Sequence, residues 1–170
     1  MTRVTIQQVI LFFVYLLYQV MILQNVVLGH TAFCFLYVLY LLILPVETNP
    51  LALMGVGFLL GFAVDLFYES IGLHAFASVL IMYLRNYWLN SLTPQGGYDS
   101  SSVPTMAMNG IQWFVVYAMP LVFIHHAVLF FMEAGGFHMF WFTLWKVITS
   151  TLFTTAVILL AQLLFPGRRR

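Results

Sequence analysis

The chain has 170 residues, of which 63% are hydrophobic and only 6% charged, with a formal net charge of +1. A soluble domain carries about a quarter charged residues, so a water-soluble globule is excluded. The 18% of aromatic residues excludes a disordered chain, which needs low hydrophobicity.

This length suits one domain of about six helices of roughly 20 residues with short connections. The first apolar run extends from about Val4 to Leu23 and leads to Gln24-Asn25. It has no small-residue cleavage site and reads as a retained helix, not a signal peptide. The second run, Ala32 to Leu44, stops at Pro45 and contains the single cysteine, Cys34. With no second cysteine, Cys34 reads as a small packing residue. The third run covers Leu51 to Phe67, the fourth Leu73 to Trp88, the fifth Ile111 to Met132 and the sixth Phe140 to Phe165. Segments such as Leu39-Tyr40-Leu41-Leu42-Ile43-Leu44 do not alternate as barrel strands do. Helices are therefore predicted, because in hydrocarbon each backbone group must be satisfied internally.

Runs two to four are short for a bilayer of ~30 Å. The third and fourth hold most of the interior charge and are predicted to form a central, protein-buried pair. Pro45 and Pro50 should place helix ends near Leu44 and Asn49. Asn90 to Asn109, with Pro94-Gln95-Gly96-Gly97 and Ser100-Ser101-Ser102, reads as the one flexible loop. Pro120 should bend the fifth span and free a carbonyl, with Asn109 and Gln112 at its entry capping it or meeting the loop. No internal repeat supports an inverted-repeat transporter. With six spans, Arg3, Arg85 and the triplet Arg168, Arg169 and Arg170 fall on one side against Lys146 on the other. That places both termini in the cytoplasm. Trp88, Trp113, Trp141 and Trp145 sit near span ends as interface anchors.

The most informative stretch begins with Gly57, Gly61, Asp65 and Glu69, which recur every four residues along one stripe of the third helix. Two glycines four apart let another helix approach closely. An acid inside a membrane helix is a candidate functional residue. Two readings stand side by side: tight helix packing with a polar terminus, or part of a site, with Asp65 the stronger candidate. His74, beyond the Gly72 turn, can fold back to hydrogen-bond Asp65 and fix the hairpin.

Gly57, Gly61, Asp65 and Leu66, followed by Gly72, Leu73, His74 and Ala75, resemble the rod shape-determining protein MreD family. The proline turn, the basic tail and the six-span layout agree. The resemblance implies a bacterial inner-membrane protein of the cell-elongation machinery, without chemistry or cofactor of its own. It implies pairing with MreC through that protein's membrane helix. Indirect partners would be the MreB filament, RodA and a penicillin-binding transpeptidase. It also implies a fold similar to the membrane-embedded substrate-binding subunit of energy-coupling-factor transporters. Gly57 and Gly61 would then form the docking groove for a partner's helix. Family members often have a small or polar residue where Glu69 stands.

Arg85 is expected to snorkel to the interface or to contact lipid phosphate or a partner's acid. Lys146 is expected to do the same at the opposite face, with a pair to Glu133 in the preceding loop as the alternative. His30, His74, His125, His126 and His138 are expected to be separate and interface-facing, so no metal site is predicted. Asp65 and Asp99 cannot form a facing acid pair, no serine nucleophile is signalled, and no phosphate-binding loop is present. A non-enzymatic scaffold is the leading reading and a ligand-binding transporter subunit the alternative. Nucleic-acid binding has no support.

Overall fold

The computed structural model describes residues 3–93, 97–98 and 103–165. Pro94, Gln95, Gly96, Asp99, the serine run 100–102 and the basic triplet Arg168 to Arg170 lie outside the described residues. In chain order the elements are α1 (Arg3–Met21), β1 (Val27–Leu28), β2 (Ala32–Phe33), α2 (Tyr37–Leu42), α3 (Pro50–Tyr68), α4 (Leu73–Ser91), α5 (Met106–Asn109), α6 (Ile111–Glu133) and α7 (Phe140–Leu164). Four segments, Ile6–Asn25, Pro50–Tyr68, Ile111–Glu133 and Phe140–Leu164, are long and apolar enough to cross a membrane. The protein is an α-helical, multi-pass membrane protein.

Hydrogen bonds fix how the elements run. Gln24 Nε2 donates to Phe67 O at 3.1 Å, joining the far ends of α1 and α3, so these helices are parallel. The chain must therefore return through the bundle between them. It does so along α1: Gln19 Nε2 donates to Cys34 O at 3.0 Å, and Tyr40 Oη donates to Gln8 O at 3.3 Å. The expected second span crosses the bundle, but it is not a continuous helix. Residues 27–33 form an antiparallel hairpin, and only Tyr37–Leu42 are helical.

Broken backbone is tolerated at membrane depth only where protein surrounds it, and here protein does. All six residues of α2 are buried. α7 presents two turns of hydroxyls to the strand. Ser150 Oγ accepts from Phe33 N at 2.9 Å and donates to Thr31 O at 3.3 Å. Thr154 Oγ1 accepts from Phe35 N at 3.1 Å. Side chains of α7 thus stand in for the missing neighbour strand. The central element is α2, not the expected α3–α4 pair: Leu51, Leu59 and Leu66 of α3 face outward.

Asn49 caps α3 by accepting from Leu51 N at 2.9 Å, with Pro50 in the first turn. The Pro120 ring leaves the carbonyl four residues earlier, Val116, without a helical donor. α6 nevertheless runs unbroken, because Trp88 Nε1 donates to Val116 O at 3.3 Å and to Tyr117 O at 3.2 Å. At the start of α6, Asn109 lies in the connection that precedes the helix and does not cap it. Gly110 occupies the cap position without a side-chain bond, and Asn109 ends the single turn of α5.

Candidate functional site

Asp65 lies one turn from the end of α3, where Glu69 adopts a left-handed conformation (φ 52°) and stops the helix. Gly72 (φ 74°) then turns the chain into α4, and its missing side chain permits that conformation. The result brings the first turn of α4 onto the carboxylate. Asp65 Oδ1 accepts from Ser70 Oγ at 2.6 Å, His74 N at 3.0 Å and His74 Nδ1 at 2.9 Å. Oδ2 accepts from Ala75 N at 2.9 Å. The carboxylate satisfies backbone N–H groups that a helix start leaves open and meets the positive end of α4's dipole.

The glycines serve the same hairpin. A Cβ at Gly61 would lie 2.5 Å from His74 O and 2.6 Å from Ala75 Cα; at Gly57 it would lie 2.9 Å from Met82 Cγ. α4 therefore fills the groove that was expected to receive a partner's helix. Gly57 and Gly61 are internal packing positions, and a partner would have to displace α4 to reach them. Glu69 leaves the stripe because the helix ends there; it is exposed, and Asp65 and His74 meet without it.

The histidines also depart from expectation. His74, His125 and His126 are buried, not interface-facing. Their rings surround Phe35, with centroids 5.3, 6.1 and 5.3 Å from it. His125 Nε2 is hydrogen-bonded to Tyr37 Oη at 2.7 Å. His126 bonds Val122 O at 2.6 Å through Nδ1 and Thr154 Oγ1 at 3.1 Å through Nε2. His74 Nδ1 donates to Asp65, so Nε2 is the open position of that ring. It and His125 Nδ1 are buried without a hydrogen-bond partner. Among the described residues no group of three or more His, Cys, Asp or Glu is placed to hold a metal ion. His30 sits at the hairpin turn with φ 60°, and both it and His138, in the α6–α7 connection, are exposed.

Arg85 does not snorkel. It is fully buried, and its guanidinium lies at the end of α2. Nε donates to Tyr117 Oη at 2.9 Å, and Nη2 donates to Leu42 O at 3.4 Å and also to Leu44 O. Tyr117 Oη donates to Leu42 O at 2.8 Å. Contact with lipid is thus excluded in this conformation. Arg85 instead closes the carbonyl end of the broken crossing, and Nη1 is buried without a partner. The Lys146–Glu133 ion pair forms at 2.8 Å, with the ammonium 4.3 Å above the centre of the Phe130 ring.

No protein-family model, curated protein or solved structure matches the chain.

The residues that sequence reasoning missed share one property: each repairs the broken crossing. Gln19, in the apolar second half of α1, donates to Cys34 O and accepts from Tyr37 N. Ser150 and Thr154 carry the same sequence signal, hydroxyl residues four apart within an apolar span.

Proposed function

We propose that this chain is a non-enzymatic, membrane-embedded scaffold of bacterial cell elongation, acting in cell shape and peptidoglycan synthesis in the manner of the MreD family. It would lie in the cytoplasmic membrane with both termini in the cytoplasm. Its direct partner would be the membrane helix of MreC, with MreB, RodA and a transpeptidase reached through it. One observation carries the reading. Gly57, Gly61, Asp65, Gly72, His74 and Ala75 of the motif are neighbours in one packed unit, and each has a part in closing the α3–α4 hairpin. A motif whose residues lock a hairpin suits a protein whose output is a fixed shape offered to partners.

The buried rings at Phe35 favour one alternative, a small-molecule-binding subunit of a transporter resembling the energy-coupling-factor type. The open nitrogens of His74, which is bonded to Asp65, and of His125 would supply polar contacts there. Purification from the native host in nanodiscs, followed by mass spectrometry, separates the two. Recovery of MreC with RodA and its transpeptidase is the expected result. Recovery of an ATPase pair and a small ligand without MreC would replace the scaffold with the transporter subunit.

A further inference from the structure

α4 differs from the other long helices. It has 19 residues, as α3 does, and lies at the same depth, bonded to α3 through Asp65 and to α6 through Trp88. Yet it is not among the four segments apolar enough to cross a membrane unaided. Its one charge, Arg85, points inward. His74 and Ser78 are buried as well; Tyr83, Tyr87 and Asn90 point outward, and they are ordered. Phe76, Leu80, Tyr83, Tyr87 and Asn90 follow one another at spacings of four, three, four and three. That is the seam pattern of a left-handed helix pair. Phe76, Tyr83 and Tyr87 are 53%, 48% and 63% exposed, and Asn90 is exposed too. The seam is about 21 Å long.

Interface anchoring does not account for it. Tyr83 lies eight residues before Ser91, roughly 12 Å along the helix, whereas belt aromatics sit at helix ends. Among the described residues its hydroxyl is bonded to that of Tyr87 alone, which donates to it at 3.4 Å.

We propose that this seam is the interface of a parallel homodimer, α4 against α4 of a second copy. Self-complementarity selects this occupant. A two-fold axis along the membrane normal makes identical helices run parallel, so each seam residue meets its counterpart or a near neighbour. Tyrosine hydroxyls and an asparagine amide both donate and accept, so each satisfies its own copy. A charge on the seam would repel its copy, and the seam has none. A single polar Asn at a seam position is also a device that sets register in such pairs. At the opposite end of the seam, Phe76 borders an apolar cavity of about 390 Å³ lined with Val128, Phe131 and Phe137, with room for an aromatic ring of the second copy. The inference goes beyond the scaffold reading and does not depend on it.

The test is disulfide cross-linking in native membranes, with the buried Cys34 left in place. Tyr83→Cys, Tyr87→Cys and Asn90→Cys are expected to form dimers of this chain. Phe58→Cys and Leu66→Cys, equally exposed on α3, are expected not to. In reconstituted vesicles, Tyr83→Phe combined with Tyr87→Phe and Asn90→Ala removes the polar groups and keeps both rings. It should weaken dimerisation about tenfold, read by single-molecule photobleaching on lipid dilution. Cross-links equal at the α3 positions, none at the seam, links only to another protein, or an unchanged dissociation constant would each overturn the proposal.

Discussion

Asp65 and Arg85 lie near opposite ends of α4, and backbone of opposite polarity holds each of them. Asp65 takes N–H groups at the start of α4; Arg85 gives its donors to carbonyls at the end of α2. Both ions stand where a helix is interrupted inside an apolar bundle, and each satisfies groups the interruption leaves open. They differ in saturation. Four donors share the two oxygens of Asp65, one of them from an imidazole. Arg85 has no carboxylate within ion-pair distance among the described residues and keeps an open Nη1. The acid end is a completed cap, and the basic end depends on dipoles alone.

If the acid end is completed by close packing, its largest sensitivity is steric. Gly61→Leu should prevent α4 from seating, because the obstructing atoms are α4 backbone, and folded protein should be lost in detergent extracts. Gly57→Ala should be milder, about 1–3 kcal/mol, since the nearest atom belongs to the flexible Met82 side chain. Equal tolerance at both positions would mean that the hairpin is looser than its distances imply.

The next largest effect belongs to the basic end. Arg85→Leu strands the carbonyl of Leu44 and weakens the set at Leu42 and Tyr117, at about 1–3 kcal/mol for each group left open. Arg85→Lys should recover only part of this, because an ammonium cannot fork between Tyr117 and α2. Thermal unfolding of the purified variants measures both. A stabilised Arg85→Leu protein would break the comparison and give the guanidinium a role outside folding.

Asp65→Asn keeps one acceptor and removes the charge, so a loss of about 1 kcal/mol is expected. Asp65→Ala should lose about 2 kcal/mol, the upper range for a missing cap. Amide exchange at His74 and Ala75 should quicken in both. Unchanged stability and exchange in Asp65→Asn would show that the carboxylate is not the cap it resembles.

The extent to which these ends were legible in the sequence follows the range of the contacts. Asp65 and His74 are nine residues apart across one turn, and glycine spacing with an acid was enough to expect their meeting. The glycine stripe left internal packing and partner docking both open, because spacing reveals that a helix approaches, not which one; α4 is the helix that approaches. Arg85 bonds residues more than 40 positions away, and nothing local distinguishes such a buried arginine from a snorkelling one. The second span was read as a helix because Ala32 to Leu44 is apolar. Its break is stabilised by Gln19, Ser150 and Thr154, and their bonds to it are set by tertiary placement. His125 and His126 are adjacent on one helix, yet α2 and α7 supply separate partners for both.

The smallest effect sharpens the account of the basic end most. Trp88 sits one turn beyond Arg85 on α4 and donates to the carbonyls of Val116 and Tyr117, one turn before Pro120. Trp88→Phe should therefore destabilise by about 1 kcal/mol, the net worth of an ordinary hydrogen bond. Pro120→Ala restores a backbone N–H for Val116 O, so in that background the Trp88 substitution should cost less. A double-mutant cycle reads the difference directly. Additive effects would mean that Trp88 contributes only its ring, and that the carbonyl freed by Pro120, Val116 O, finds another partner. Coupling would extend to α6 the rule seen at Asp65 and Arg85: a break in a helical ladder is answered by a side chain of a neighbouring helix.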